Sequence, residues 1–378
     1  MIIDPIALSR ELIALDTINP PGQELVCIQH LEAMLAAAGF TTEVHAFDDD
    51  RANLIARIGG RDGKPPLCFT GHVDTVPLGN AAWSVDPFAG AIMDGKLYGR
   101  GSSDMKCGVA AFVAAVCGIA DQLIHAATGV VLVITAGEET GCEGALQLAK
   151  DGVLGAAGAI VVAEPTSNVA VVGHKGALWL RAITTGVTAH GSMPHLGVNA
   201  AYKAARVLTI LEKFQFNVAP HPHLGSPTLN VGMVHAGLNV NSVPDRAEIG
   251  IDIRSIPGLD HARIREHLAA ELGADVTLEP IIDVGSVWTE PTDPWIRQVH
   301  EVVQQITGEI PGVAPKTAPY FTDASALTPA FGNPPTIVLG PGEAAMAHQT
   351  DEYCEVDRIR VATEIYAALA VKWADIAI

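Results

Sequence analysis

Short apolar runs alternate with stretches of helical spacing through the first half of the chain. Runs rich in Val, Ile and Leu occupy residues 67–70, 130–135 and 159–163, and residues 105–120 and 144–150 between them have helical composition. Strands that alternate with helices build a buried, mostly parallel sheet, so this order predicts an α/β layer. A further buried-type strand falls at 336–339, with a helix over about 358–374. The middle of the chain changes rhythm. Residues 177–185 alternate as a half-buried strand does, and 198–214 place Ala201, Ala205, Leu208 and Leu211 at helical spacing. Strand-like runs at 228–235 and 247–254, a helix at 260–272 and a strand at 275–279 complete the order β-α-β-β-α-β, which is ferredoxin-like. The expected fold is α/β: a large discontinuous domain with a mostly parallel central sheet, residues 1–175 and 288–378, interrupted by a small inserted α+β domain at 176–287.

Composition narrows the partners. A chain of 378 residues, 49% hydrophobic and 17% charged, has material for a real core and for two domains. Its 42 acidic against 23 basic side chains, a formal net charge of −19, leave no basic footprint for nucleic acid or an anionic membrane. The cysteines, Cys27, Cys68, Cys107, Cys117, Cys142 and Cys354, form no C-x-x-C pair and read as reduced thiols of a cytoplasmic protein. The opening Met-Ile-Ile-Asp-Pro lacks the charged and apolar regions of a signal peptide. The longest apolar run, 109–120, is too short to span a bilayer. The expectation is a soluble, cytoplasmic chain without a nucleic-acid or membrane partner.

Histidines and carboxylates recur where the strands end. His72 and Asp74 follow the first run, and Asp104 stands just before a helix. Glu138 and Glu139 follow the run ending at Thr135, Glu164 follows the next, and His348 lies beyond 336–339. In open parallel sheets the carboxyl ends of the strands share one edge, where ligands bind, so these five segments can converge. Two imidazoles and several carboxylates, with no thiolate required, suit two divalent ions such as zinc, cobalt or manganese. Paired ions activate a water and polarise a carbonyl. An extra carboxylate beside them, Glu138, can take the water's proton and return it to a leaving nitrogen. Singly, each residue has a plainer explanation; Asp104, for one, is well placed to cap a helix. The adjacent pair Glu138 and Glu139 is harder to explain without a cation, because neighbouring carboxylates repel.

Gly71-His-Val-Asp-Thr-Val-Pro77, Gly99-Arg-Gly-Ser-Ser-Asp-Met-Lys106, Ala136-Gly-Glu-Glu-Thr140 and Glu164-Pro-Thr166 resemble the signatures of the M20 metallopeptidase and deacylase family. The resemblance extends from Leu12-Ile-Ala-Leu-Asp-Thr-Ile-Asn-Pro-Pro21 to Ala347-His-Gln-Thr-Asp-Glu-Tyr353. It implies that Asp104 bridges two metal ions, most often zinc. His72 and Glu164 would complete one site, Glu139 and His348 the other, with Asp74 orienting His72 and Glu138 as general base. In the inserted domain, His190 of Thr188-Ala-His-Gly-Ser192 would steady the oxyanion in a partner subunit's active site, and Asn239 and Arg254 would hold a substrate carboxylate. The same resemblance makes that domain a lid and the interface of a homodimer.

Glu164 resembles the deacylase and carboxypeptidase branches, and Gly173-His-Lys-Gly176, Ser226-Pro-Thr-Leu-Asn-Val-Gly232 and Leu339-Gly-Pro-Gly342 resemble the acetylornithine deacetylase branch. Asn239-Val-Asn-Ser-Val-Pro244 and Phe321-Thr-Asp-Ala-Ser325 resemble the wider deacylase group. The implied activity is hydrolysis that frees a small amino acid from an N-acyl group. A metallo-carboxypeptidase or dipeptidase of the same family is the nearest alternative. A noncatalytic metal-binding dimeric scaffold would be marked by a lost ligand or a missing Glu138, and the sequence keeps both. The G-x-S-x-G of a serine hydrolase and the H-E-x-x-H of a zincin are absent.

Overall fold

The structure, a computed structural model, describes residues 2–61, 63–309 and 314–376. Residues 1, 62, 310–313, 377 and 378 of the expected larger domain lie outside the described residues. The chain folds as two compact units. The larger runs to Gly173 and takes in Trp288–Thr317 and the chain from Thr322 onwards; the smaller is His174–Val287 with Ala318–Phe321.

The larger unit is an α/β layer. Its sheet runs in the order Thr41–Asp48, Arg51–Ile58, Val130–Thr135, Leu67–His72, Ala159–Val162, Thr336–Val338, Val171–His174, Val287–Trp288. The centre is parallel: Leu67 lies opposite Val130 on one side and Ala159 on the other, and Thr336 lies opposite Ile160. The flanks, Arg51–Ile58 and Val171–His174, join antiparallel, so the sheet is mixed around a parallel core. Leu67–His72 and Val130–Thr135 are buried at every position, as strands covered on both faces are. The helix Cys107–Gly118 is buried from Cys107 to Cys117, since a helix that is apolar all round must lie inside the core. It packs against the helices Val356–Trp373 and Pro5–Ala14. Phe69, Phe112 and Tyr366 cluster there with ring centroids 5.5 to 6.5 Å apart, and the Tyr366 hydroxyl donates to the Leu339 carbonyl at 2.6 Å.

The smaller unit has the order Gly176–Thr185, Ala200–Lys213, Thr228–Ala236, Arg246–Ser255, His261–Leu272, Val276–Val284. Its sheet is antiparallel throughout, with Arg246–Ser255 and Gly176–Thr185 central and Thr228–Ala236 and Val276–Val284 at the edges. This is the ferredoxin-like arrangement. Asn199 and Asp260 cap the two helices by accepting from backbone N–H groups. Their apolar faces, through Val207, Leu211, Ile264 and Leu268, pack on Leu178, Leu180, Ile249 and Ile251 of the sheet. Among the described residues no helix is long and apolar enough to cross a membrane.

Candidate metal centre

The parallel strands of the larger unit end along one edge, and the residues just beyond those ends build the site. His72 is the last residue of Leu67–His72, Glu138 and Glu139 come after Val130–Thr135, and Glu164 comes after Ala159–Val162. Asp104 sits in the turn Ser102–Lys106 that leads into Cys107–Gly118, and its side chain caps no helix. His348 stands in the loop beyond Thr336–Val338 on left-handed backbone (φ 64°), a conformation uncommon outside glycine.

These residues meet as two groups that share one member. His72 Nε2 lies 3.2 Å from Asp104 Oδ1 and 3.7 Å from Glu164 Oε1. His348 Nε2 lies 3.0 Å from Glu139 Oε2 and 3.6 Å from Asp104 Oδ2. Within each group the donor atoms lie inside 4.8 Å of one another. Asp104 therefore turns one oxygen to each histidine, which is how a bridging carboxylate must stand.

Supporting contacts orient these donors. His72 Nδ1–H donates to the Asp74 carbonyl at 3.0 Å, which leaves Nε2 as the basic nitrogen. The Asp74 carboxylate, 3.4 Å from the same ring, accepts the backbone N–H of Glu138 (3.1 Å) and of Glu139 (3.2 Å). It also accepts from the Asn19 amide at 3.1 Å. One buried side chain thus ties the loop of Glu138 and Glu139 to the strand of His72. Asn53 holds the same loop at both ends, accepting from Ala136 N–H and donating to the Gly144 carbonyl.

Charge in this pocket is one-sided. Burial, then the charge of Glu164, pushes Glu138 well above the ordinary carboxyl range. Burial and the charge of Asp104 do the same to Glu164 and also raise Glu139. Burial works against charge on Asp104 too, but its contact with His72 outweighs that and lowers it. Four carboxylates around two imidazoles, most of them buried, hold more negative charge than the histidines can balance. Divalent cations relieve that excess, and the mixed nitrogen and oxygen donors fit them.

Sequence reasoning assigned no role to Asp323, Arg100 or Glu352. Asp323 is buried close to Glu138, and one of its oxygens accepts the Thr135 hydroxyl. Burial pushes it up to about 6. An acid among the small residues of Phe321-Thr-Asp-Ala-Ser325 was the only sign of it in the sequence. Arg100 and Glu352 form a buried ion pair at 2.7 Å; they lie 252 residues apart, so nothing local links them.

The remaining three candidates belong to the smaller unit. His190 is exposed, and its Nδ1 receives the Ser192 backbone N–H at 3.2 Å, so the ring proton sits on Nε2. Asn239 lies on the exposed loop between Thr228–Ala236 and Arg246–Ser255, beside the His190 loop to which backbone bonds from Gly191 to Asn241 and from Val243 to Ala189 join it. Arg254 pairs through Nε with Asp252 at 2.9 Å, while its guanidinium lies over Trp179 and Phe321 at 5.8 and 5.6 Å. The same unit contains a hydrogen-bonded row, Ser255 Oγ to His261 Nε2 at 2.7 Å and His261 Nδ1 to Asp283 at 2.6 Å. Ser255 is only 1% exposed, so this row staples a strand to a helix and offers no nucleophile.

The sequence profile of peptidase family M20/M25/M40 matches residues 68–372. The chain belongs to that family. Acetylornithine deacetylase of Myxococcus xanthus is 33% identical to this M20 chain over 378 residues, 97% of this chain and 96% of its own. Succinyl-diaminopimelate desuccinylase of Rhodospirillum centenum is 32% identical over 390 residues, 98% and 97% of the two chains. An M20 metallo-carboxypeptidase from Sulfolobus solfataricus superposes over the whole length of both chains with a TM-score of 0.82 at 17% identity, which shows a common fold. The M20 chain is a metal-dependent amidohydrolase.

Proposed function

We propose that this enzyme removes an N-acyl group from a small amino acid, with N-acetylornithine the first candidate substrate. The observation that carries the reading is the shared Asp104 between two donor groups with Glu138 buried beside them. His72 and Glu164 would hold one ion, Glu139 and His348 the other, and Asp104 both; zinc suits the donors best, with cobalt or manganese able to replace it. Bound there, the two ions supply an acidified water and a polarised amide carbonyl. Glu138 takes the water's proton and passes it to the departing nitrogen. Its raised pKa suits both transfers. Arg254 and Asn239 hold the substrate's carboxylate, the terminal nitrogens of Arg254 offering the planar fork that such a group takes. His190 would steady the oxyanion in a partner subunit's site, with Nε2–H as the donor.

The homodimer this requires is supported by the smaller unit's surface. Thr228–Ala236 is an edge strand on which Met233 and Val234 are exposed, and Leu238 and Val240 in the loop after it are fully so, as an edge meant for covering would be. Sedimentation that finds only monomer at micromolar concentration would remove the partner role of His190. A second substrate, N-succinyl-diaminopimelate, is favoured by the name of the Rhodospirillum centenum relative; both candidates carry an acyl group on a diamino acid.

Hydrolysis of these two compounds, further N-acyl amino acids and dipeptides should be measured with chelator-stripped and metal-reloaded protein. Activity on an acyl amino acid that vanishes on stripping and returns on reloading is expected. A preference for dipeptides would instead assign the chain to the peptidase branch.

A further inference from the structure

Behind the metal centre, the pair Arg100 and Glu352 is shut off from water, at 2% and 0% side-chain exposure. Taking two charges out of water costs several kcal/mol per ion, so such a pair is weak support for stability by itself. Its remaining hydrogen bonds point to another use. Glu352 Oε1 accepts the backbone N–H of Ser103 (2.8 Å) and of Asp104 (3.0 Å), and Oε2 accepts that of Gly101 (3.0 Å). Arg100 donates to the Gln349 carbonyl at 3.3 Å and to the Pro77 carbonyl at 3.1 Å. The Trp83 ring lies against the guanidinium at 5.2 Å. Two further bonds join the same loops, Ser103 hydroxyl to the Tyr353 carbonyl at 2.7 Å and Gly99 N–H to the Glu352 carbonyl at 3.0 Å. The carboxylate thus grips the backbone of Asp104 itself, and the guanidinium grips the carbonyl next to His348.

We propose that Arg100 and Glu352 are positioning residues that clamp the Asp104 loop to the His348 loop and so set the affinity of the second metal site. The inference rests on the reading that Asp104, Glu139 and His348 hold that ion. The first site depends on the clamp less, because His72 ends one strand of the parallel ladder and Glu164 follows another. Neither clamp side chain is among the metal donors, so its effect is felt through the loops alone.

The test is a titration of metal-stripped full-length protein with Zn2+ against a chromophoric chelator. A parallel titration with Co2+ follows the visible bands of the bound ion. Wild type, Glu352→Gln, Glu352→Ala and Arg100→Lys are compared, with circular dichroism and thermal unfolding to show which are folded. In folded variants the ion of the second site should weaken by about 10- to 100-fold, and that of the first, which shares Asp104 but not His348, by clearly less. The second ion's cobalt spectrum should change, and Glu352→Gln should be milder than Glu352→Ala. Should Glu352→Ala fail to fold, Glu352→Gln and Arg100→Lys decide. A folded variant with both ions at wild-type affinity and spectrum, or with both weakened equally, overturns the clamp. His348→Ala separates the two ideas: if it binds two ions as wild type does, the ligand reading itself falls, and the clamp with it.

Discussion

Glu138 illustrates how a single side chain acquires a role from its surroundings. A group that accepts a proton from water and then donates it works best when its pKa lies near the working pH, and burial together with Glu164 moves Glu138 upward in that direction. Glu138 is outside both donor groups, so Glu138→Gln should retain two-ion uptake while kcat falls by at least about 100-fold. Single-turnover kinetics on metal-loaded variant check this, and a loss below about threefold would hand the proton transfer to another group. The donor residue types were legible in the sequence because chemistry restricts which side chains bind divalent ions. Asp74 was legible only in part. The resemblance suggested that it orients His72, whereas its carboxylate also carries the N–H groups of Glu138 and Glu139, 64 and 65 residues away.

Between elements, the site depends on how closely Cys107–Gly118 approaches the strand ends. A Cβ on Gly108 would stand 2.3 Å from the Ala163 carbonyl oxygen, and one on Gly340 would stand 2.1 Å from the same atom. Neither glycine has a positive φ, so close approach alone requires them. Gly108→Ala should force the helix away from the strand end and destabilise the protein by about 1–3 kcal/mol, read as a lower urea midpoint at unchanged slope; an unshifted midpoint would mean that the helix slides freely. The helix starts three residues after Asp104 and the strand ends two residues before Glu164, so metal affinity should weaken in the same variant. Apolar runs and helical spacing predicted these two elements well, because both are buried on all sides. Thr41–Asp48 escaped notice since it is a sheet edge whose residues alternate between exposed and half-buried, and such a strand carries no apolar run. The helix Pro294–Thr307 escaped as well, although Asp293 caps it and Pro294 opens it, which is the usual start signal.

For the molecule as a whole, pH acts through buried groups outside the metal centre as well as in it. His174 is fully buried, its Nδ1 2.9 Å from the Lys175 carbonyl, and burial pulls its pKa down to about 4. The unfolded chain binds a proton here below about pH 6.5, and the folded protein does so only near pH 4. The contribution of His174 is therefore fully present above pH 6.5 and is lost as pH falls through the window to about 4, by roughly 3 kcal/mol in all. Urea unfolding of wild type and His174→Gln from pH 7.5 to 4.5 measures it. The difference between the two stabilities should shrink steadily below pH 6.5, and parallel pH profiles would show that His174 takes its proton in the folded state too.

Sequence alone determined the layer architecture, the central strands with the buried helix between them, the element order of the smaller unit, and the kinds of side chain placed where strands end. These follow from periodicity and composition, which are local, and from the requirement that a parallel sheet put its carboxyl ends together. Tertiary structure alone decided that the sheet's flanks turn antiparallel, that Phe321 packs with Trp179 and Arg254 in the smaller unit, and that each oxygen of Asp104 faces a different histidine. It alone also brought Arg100 to Glu352. Contacts of this kind join residues tens to hundreds of positions apart at separations of a few ångströms, and the packing of the core sets those separations, which no local pattern records.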